Sequence, residues 1–101
     1  MNATFAMLSD PGRRMILAAL CDGERAAGEL VAALSISQPG VSKQLRLLRE
    51  AGLVQVRRDG QRRLYRLNPA PFADLDQWLE PYRAFWNGKL DALQRHLDQE
   101  L

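Results

Sequence analysis

From Phe72 to Leu97 apolar residues return every third or fourth position. Phe72, Leu75, Leu79, Tyr82, Trp86, Leu90, Leu93 and Leu97 form one continuous helical stripe, which Trp78 and Phe85 widen. A helix over 72–98 is roughly 40 Å long at 1.5 Å per residue, whereas a globule of 101 residues has a radius of gyration of about 13 Å. A domain of this size has too little surface to cover such a stripe. The spacing therefore predicts that the terminal helix packs on a second copy of the chain around a two-fold axis, joined there by Phe5 and Leu8 of a short N-terminal helix. Pro81 removes one helical hydrogen bond and crowds the turn before it, so a kink or a break near Glu80 is expected.

The chain ahead of the stripe reads as one compact unit. Asp10-Pro11 starts a helix, because Asp caps free N–H groups and Pro at the first position gives up a donor that had no partner. Met15, Ile16, Leu17, Ala19 and Leu20 follow, and Asp22-Gly23 ends it. A second helix is expected over Ala27–Leu34 with Leu30, Val31 and Leu34 inward, although its start has no good cap. After Ser35-Ile36-Ser37, Ser37 caps a helix over Gln38–Ala51, with Pro39 tolerated in the first turn. Val41, Leu45 and Leu48 mark its buried side, and Ser42, Lys43, Arg46 and Arg49 point elsewhere. Gly52 closes it as a left-handed cap. Two helices joined by so short a turn, the second polar and basic outside, outline a helix-turn-helix.

Beyond Gly52 the period changes from 3.6 to 2. Leu53–Arg58 and Gln61–Leu67 flank Asp59-Gly60, the dipeptide favoured by a two-residue type I′ turn, and so form a β-hairpin. Its arms carry Arg57, Arg58, Arg62, Arg63 and Arg66. The net charge of +2 says little, but its distribution is informative: residues 37–67 hold eight Lys/Arg against two acids. A basic hairpin directly after a helix-turn-helix is a wing. The expected fold is mainly α with a small β-hairpin, a winged helix-turn-helix with terminal dimerisation helices. It forms a single domain over 1–101, with its core over 9–67 and dimerisation helices over 1–8 and 71–101.

Four segments in order resemble the ArsR/SmtB family of winged-helix repressors. They are Leu8-Ser9-Asp10-Pro11-Gly12-Arg13-Arg14, then Ser37-Gln38-Pro39-Gly40-Val41-Ser42-Lys43-Gln44-Leu45, then Leu48-Arg49-Glu50-Ala51-Gly52-Leu53-Val54, and the Asp59-Gly60 wing ending in Tyr65-Arg66-Leu67. The resemblance implies a dimeric repressor whose helix-turn-helix enters the major groove and whose terminal helices join the subunits. It also raises the question of metal sensing. Where relatives carry a Cys-x-Cys pair, this chain has Ala26 and Gly28. The paired histidines of the last helix are replaced by a lone His96, with Asp74, Asp76 and Asn87 a poor imitation of that site. Transition-metal sites need several N or S donors, so neither a metal nor a cofactor is expected.

The chemistry of duplex DNA selects particular residues. Base edges are read by forked donors and acceptors near the start of an inserted helix, and phosphates take Arg, Lys, hydroxyls and helix N-termini. Gln38, Ser42, Lys43 and Gln44 supply the first kind of group, though the helical projection leaves Gln44 between base reading and a plain surface role. Ser37, Arg46 and the wing residues Arg58, Arg62 and Arg63 suit the second, with Pro39 in the same first turn. Arg13 and Arg14 oppose the dipole at their helix start, so a phosphate or a carboxylate such as Asp10 is expected beside them. The expected dimer surface comprises Phe5, Leu8, Trp78, Leu79, Tyr82, Phe85, Trp86, Leu90, Leu93 and Leu97.

No Gly-rich phosphate loop, Cys/His or Ser/His constellation or cofactor motif is present, so an enzyme is not expected. The single cysteine, Cys21, excludes an intrachain disulfide and reads as a small buried residue at a helix end. His96 is expected in solvent among Arg95, Asp98 and Glu100. With no signal peptide or membrane span in the pattern, a soluble cytoplasmic protein is expected. Its expected partners are double-stranded DNA and a second copy of itself, and a small-molecule or protein effector stays open. Two alternatives also stay open. One is a ligand- or redox-responsive sensor with a pocket between the terminal aromatic helices, and the other is a winged helix kept for protein interaction.

Overall fold

Asp10-Pro11 and Ser37 start helices as their chemistry requires, and the fold is built from these two fixed points. The computed structural model describes residues 1–100, with the order α1 (Asn2–Leu8), α2 (Pro11–Leu20), β1 (Arg25–Ala26), α3 (Ala27–Leu34), α4 (Gln38–Glu50), β2 (Val54–Asp59), β3 (Arg62–Leu67) and α5 (Pro69–Glu100). The Asp10 carboxylate accepts the Arg13 backbone N–H at 3.0 Å, with Pro11 at the first helical position of α2. The Ser37 hydroxyl accepts the Gly40 N–H at 3.2 Å and starts α4. At α3 no side chain caps; instead Glu29 reaches back to accept the Ala26 N–H at 3.1 Å, half of a capping box.

The apolar periodicity then closes the core. Ile16, Leu17 and Leu20 of α2, Leu30 of α3, Val41, Leu45 and Leu48 of α4, and Leu53 and Val54 at the start of the hairpin form one buried cluster. Val31, Leu34, Tyr65, Leu67 and Phe72 pack around it half-buried. Gly52 follows α4 at φ +83°, a left-handed position that a side chain rarely adopts.

In four places the structure departs from the expectations above. The hairpin gains a third strand: β1 pairs antiparallel with β3 (Arg25 opposite Tyr65, Ala26 opposite Leu64), giving the order β1-β3-β2. The hairpin turn lies one residue later than expected. Asp59 pairs with Arg62, so Gly60 and Gln61 form the turn, and only Gly60 has positive φ, at +64°. Positive φ at the first central position alone is the mark of a II′ turn rather than I′. Helix α5 begins at Pro69 rather than Phe72, because Asn68 accepts the Ala70 N–H at 3.3 Å and both Pro69 and Pro71 fall where the N–H has no helical partner. Of the kink or break expected near Glu80, the break does not occur, since the helix runs on through Pro81; one lost hydrogen bond among the many of a 32-residue helix does not divide it.

Cys21 is a further correction: it is exposed rather than buried, since it sits one residue past Leu20, the last inward position of α2. Leu8 is divided from the rest of the expected dimer set, because it is half-buried against its own chain's core. The molecule is long, with extents of 63 × 26 × 23 Å.

Candidate nucleic-acid interface

The outward side of α4 is set by the burial of its inward side. Val41, Leu45 and Leu48 are at most 1% exposed, which turns Ser42, Lys43, Arg46 and Arg49 outward into solvent. Ser37, Gln38 and Pro39 are exposed at the N-terminus, where free N–H groups and the helix dipole favour anions. Gly40 leaves room for this start, since a Cβ there would lie 3.0 Å from the Ser37 Oγ and 3.1 Å from the Ile36 Cγ2, and those side chains would have to give by a few tenths of an ångström. Arg46, Arg49 and Glu50 line an open hollow along the second half of the helix.

Gln44 stands apart from this set. It is half-buried, and its Oε1 accepts from Arg13 Nη1 at 3.3 Å, so it faces α2 rather than sharing the surface of Ser42 and Lys43. Arg13 also donates through Nε to the Met7 carbonyl (2.8 Å) and through Nη2 to that of Ala6 (3.2 Å), while Arg14 Nη1 donates to the Leu8 carbonyl (2.6 Å). Both guanidinium groups thus reach the carbonyls at the end of α1, the negative end of that helix, rather than the Asp10 carboxylate. Asp10 is occupied by the Arg13 backbone N–H rather than by a guanidinium.

The wing is tied to the body by ions that sequence spacing does not reveal. Arg57 Nε and Nη2 each donate to a different oxygen of Glu24, both at 2.8 Å. Arg62 Nη2 donates to Glu29 Oε1 at 2.7 Å, the same oxygen that holds the Ala26 N–H. Arg62, expected among the phosphate contacts, is therefore ion-paired, whereas Arg58 and Arg63 have no carboxylate within 4.0 Å among the described residues. The hydrogen bonds from Arg57 hold the Glu24 carboxyl below its ordinary range, and its charge and that of Arg66 act in the same direction. A depressed carboxylate stabilises the fold fully above the unfolded-state value and loses that contribution as pH falls through the folded-state one. The Glu24–Arg57 pair should hence persist at neutral pH and break only in more acid solution than an ordinary glutamate requires. A carbon-detected titration of the Glu24 carboxyl checks this, and a midpoint at or above the ordinary value of about 4.3 would contradict it.

Along α5 the apolar stripe lies open. Trp78 and Leu79 are exposed, and Tyr82, Phe85, Trp86, Leu90, Leu93 and Leu97 are between 46% and 64% exposed. Phe5 of α1 meets Trp78 edge-on with centroids 5.1 Å apart, and Trp78 packs on Tyr82 at 4.8 Å. His96 is solvated beside Glu100, 3.0 Å away. Among the described residues no three His, Cys, Asp or Glu side chains gather as metal ligands, and no helix is long and apolar enough to cross a membrane.

A short-turn pair of helices followed by a basic hairpin defines the winged helix-turn-helix class of regulator. Residues 10–56 match the family model described as bacterial regulatory protein, arsR family. The chain is 40% identical over 97 residues to the arsenic resistance transcriptional regulator ArsR1 of Pseudomonas putida, covering 95% of this chain and 70% of that protein. It is 48% identical over 60 residues to the biofilm growth-associated repressor of Agrobacterium fabrum, but this is 59% of the chain and only 51% of that repressor. The homodimeric winged helix-turn-helix DNA-binding domain of a possible ArsR-family regulator of Mycobacterium bovis superposes with a TM-score of 0.68 at 29% identity, covering 82% of this chain and 77% of that one. The chain belongs to the ArsR family of bacterial transcriptional regulators, and is a regulator rather than an enzyme.

Proposed function

We propose that this chain is a transcriptional repressor that binds duplex DNA as a homodimer, with α4 in the major groove, the wing on the adjoining backbone and an inverted-repeat operator. The observation that carries the reading is the outward face of α4, where Ser42 and Lys43 stand free beside a five-arginine hairpin. In this arrangement Gln38, Ser42 and Lys43 meet base edges, and Ser37 and Arg46 meet phosphates. Gln44 acts at one remove, through the Arg13 contact that steadies the helix.

The dimer is supported by the open stripe on α5. Taking usual side-chain areas, its exposed residues present on the order of 700 Å² of largely apolar surface, more than monomers commonly leave in one patch. That is close to the roughly 800 Å² per partner of a stable protein interface. The solved relative from Mycobacterium bovis is itself homodimeric. Since no metal ligands of the family's kind stand at positions 26 and 28, control by an organic ligand or a protein fits this chain better than control by a metal.

The reading is tested by selecting binding sites from a random duplex pool with the purified chain. The winners should be inverted repeats with half-sites roughly 34 Å apart, one helical turn. On such a site Lys43→Ala should weaken binding by about 1–3 kcal/mol while changing affinity for scrambled duplex much less. Asymmetric single half-sites among the winners, or equal losses on both duplexes, would overturn the assignment.

A further inference from the structure

Strand pairing sorts the five wing arginines onto two faces. Directly opposed residues of an antiparallel pair share a face, and neighbours along a strand alternate. Arg57 opposite Leu64, Asp59 opposite Arg62 and Gln55 opposite Arg66 thus lie on one side, while Val54 opposite Leu67, Val56 opposite Tyr65 and Arg58 opposite Arg63 lie on the other. On the first side every arginine is engaged: Arg57 with Glu24, Arg62 with Glu29, and Arg66 with Gln55 Oε1 at 3.2 Å.

The second side behaves differently. Its inner part packs on the core through Val54, Tyr65 and Leu67, and where it runs past the core it ends in Arg58 and Arg63. These two guanidinium-bearing residues face each other directly across the ladder, both exposed. Like charges in directly opposed positions destabilise a strand pair, and among the described residues no carboxylate lies within 4.0 Å of either. An anion outside the chain, placed beside both, would relieve that repulsion.

Resting on the DNA-binding reading above, we infer that the wing divides its arginines by face: Arg58 and Arg63 form its site for backbone phosphate, while Glu24 and Glu29 withhold Arg57 and Arg62 from DNA and fix the pose of the hairpin. Glu24 and Glu29 are then positioning residues. Glu24 lies just before β1 and Glu29 in the first turn of α3, the first helix of the helix-turn-helix, so the hairpin is held at a set angle to α4. The depressed titration of Glu24 agrees with an engaged pair at neutral pH.

The test uses the full chain and a fluorescent duplex of random sequence, with affinity measured against salt concentration and folding checked by far-ultraviolet circular dichroism. The double variant R58Q/R63Q should reduce the slope of log affinity on log salt by about 0.9 for each phosphate released, one or two in all. The charge-exchanged variants E24R/R57E and E29R/R62E rebuild each ion pair in reverse. They should keep the wild-type slope and bind within about twofold of wild type, because each reversed pair restores the tie between hairpin and body and neither of its members meets phosphate. If an exchanged variant loses as much slope as R58Q/R63Q, Arg57 or Arg62 meets phosphate itself and the division is wrong. An unchanged slope in R58Q/R63Q would equally overturn it. Wild-type protein that fails to bind duplex even at low salt would instead remove the DNA-binding reading, and this inference with it.

Discussion

Trp86→Glu should raise the dissociation constant of the dimer by on the order of a thousandfold, about 4 kcal/mol, and take operator binding with it. Trp86 is 61% exposed in the protomer, so its own fold does not depend on it. In a two-fold interface one substitution is felt twice, and each copy would place an unpaired carboxylate against apolar surface, which costs several kcal/mol unless water reaches it. Sedimentation equilibrium reads the outcome directly, and circular dichroism should show helix content retained in the lone protomer. A variant that remains a tight dimer would mean that the subunits meet along another side of α5.

Leu48→Ala should destabilise each protomer by about 3 kcal/mol, within the 2–5 kcal/mol usual for such a truncation. Leu48 is 0% exposed and packs where α4 meets Leu53 and α2, so the neighbouring backbone has little freedom to close the gap. For a domain stable by roughly 5–15 kcal/mol this is a large fraction. Urea denaturation at fixed protomer concentration measures it, since dimerisation would otherwise shift the midpoint. Ser42→Ala on the outward side of the same helix should leave stability within about 0.5 kcal/mol of wild type. Comparable losses from the two substitutions would show that α4 is turned the other way.

Much of this architecture was legible because it is local. Asp10-Pro11, Ser37 with its helix, the Val41, Leu45 and Leu48 stripe and the change of period at Gly52 all act over a few residues, and each stands where its chemistry puts it. The hairpin was legible as a hairpin but not to the residue. Asp-Gly pairs favour the I′ turn, yet here Asp59 pairs with Arg62, which shifts the register of the whole ladder and leaves Gly60 to open the turn. Strand β1 was not legible, since two residues have no period to detect.

The candidate site divided in the same way. Exposure of Ser42 and Lys43 follows from burial of the opposite side, which a helical projection gives. Glu24 with Arg57 and Glu29 with Arg62 are each 33 positions apart, and only the fold brings them together. Arg13 was read through the dipole of its own helix, but the carbonyls it satisfies belong to the helix before it. For Cys21, one residue of helical phase separates a buried neighbour, Leu20, from an exposed thiol.

The long α5 has a consequence at the bench. The protomer's radius of gyration is 18.3 Å, the value expected of a compact globule of roughly 260 residues. On a gel-filtration column calibrated with spherical standards, an isolated protomer would therefore elute as a larger particle than a compact chain of its mass. Apparent size from elution volume would mistake shape for stoichiometry. Light scattering or sedimentation, which weigh the particle, are needed to count the subunits.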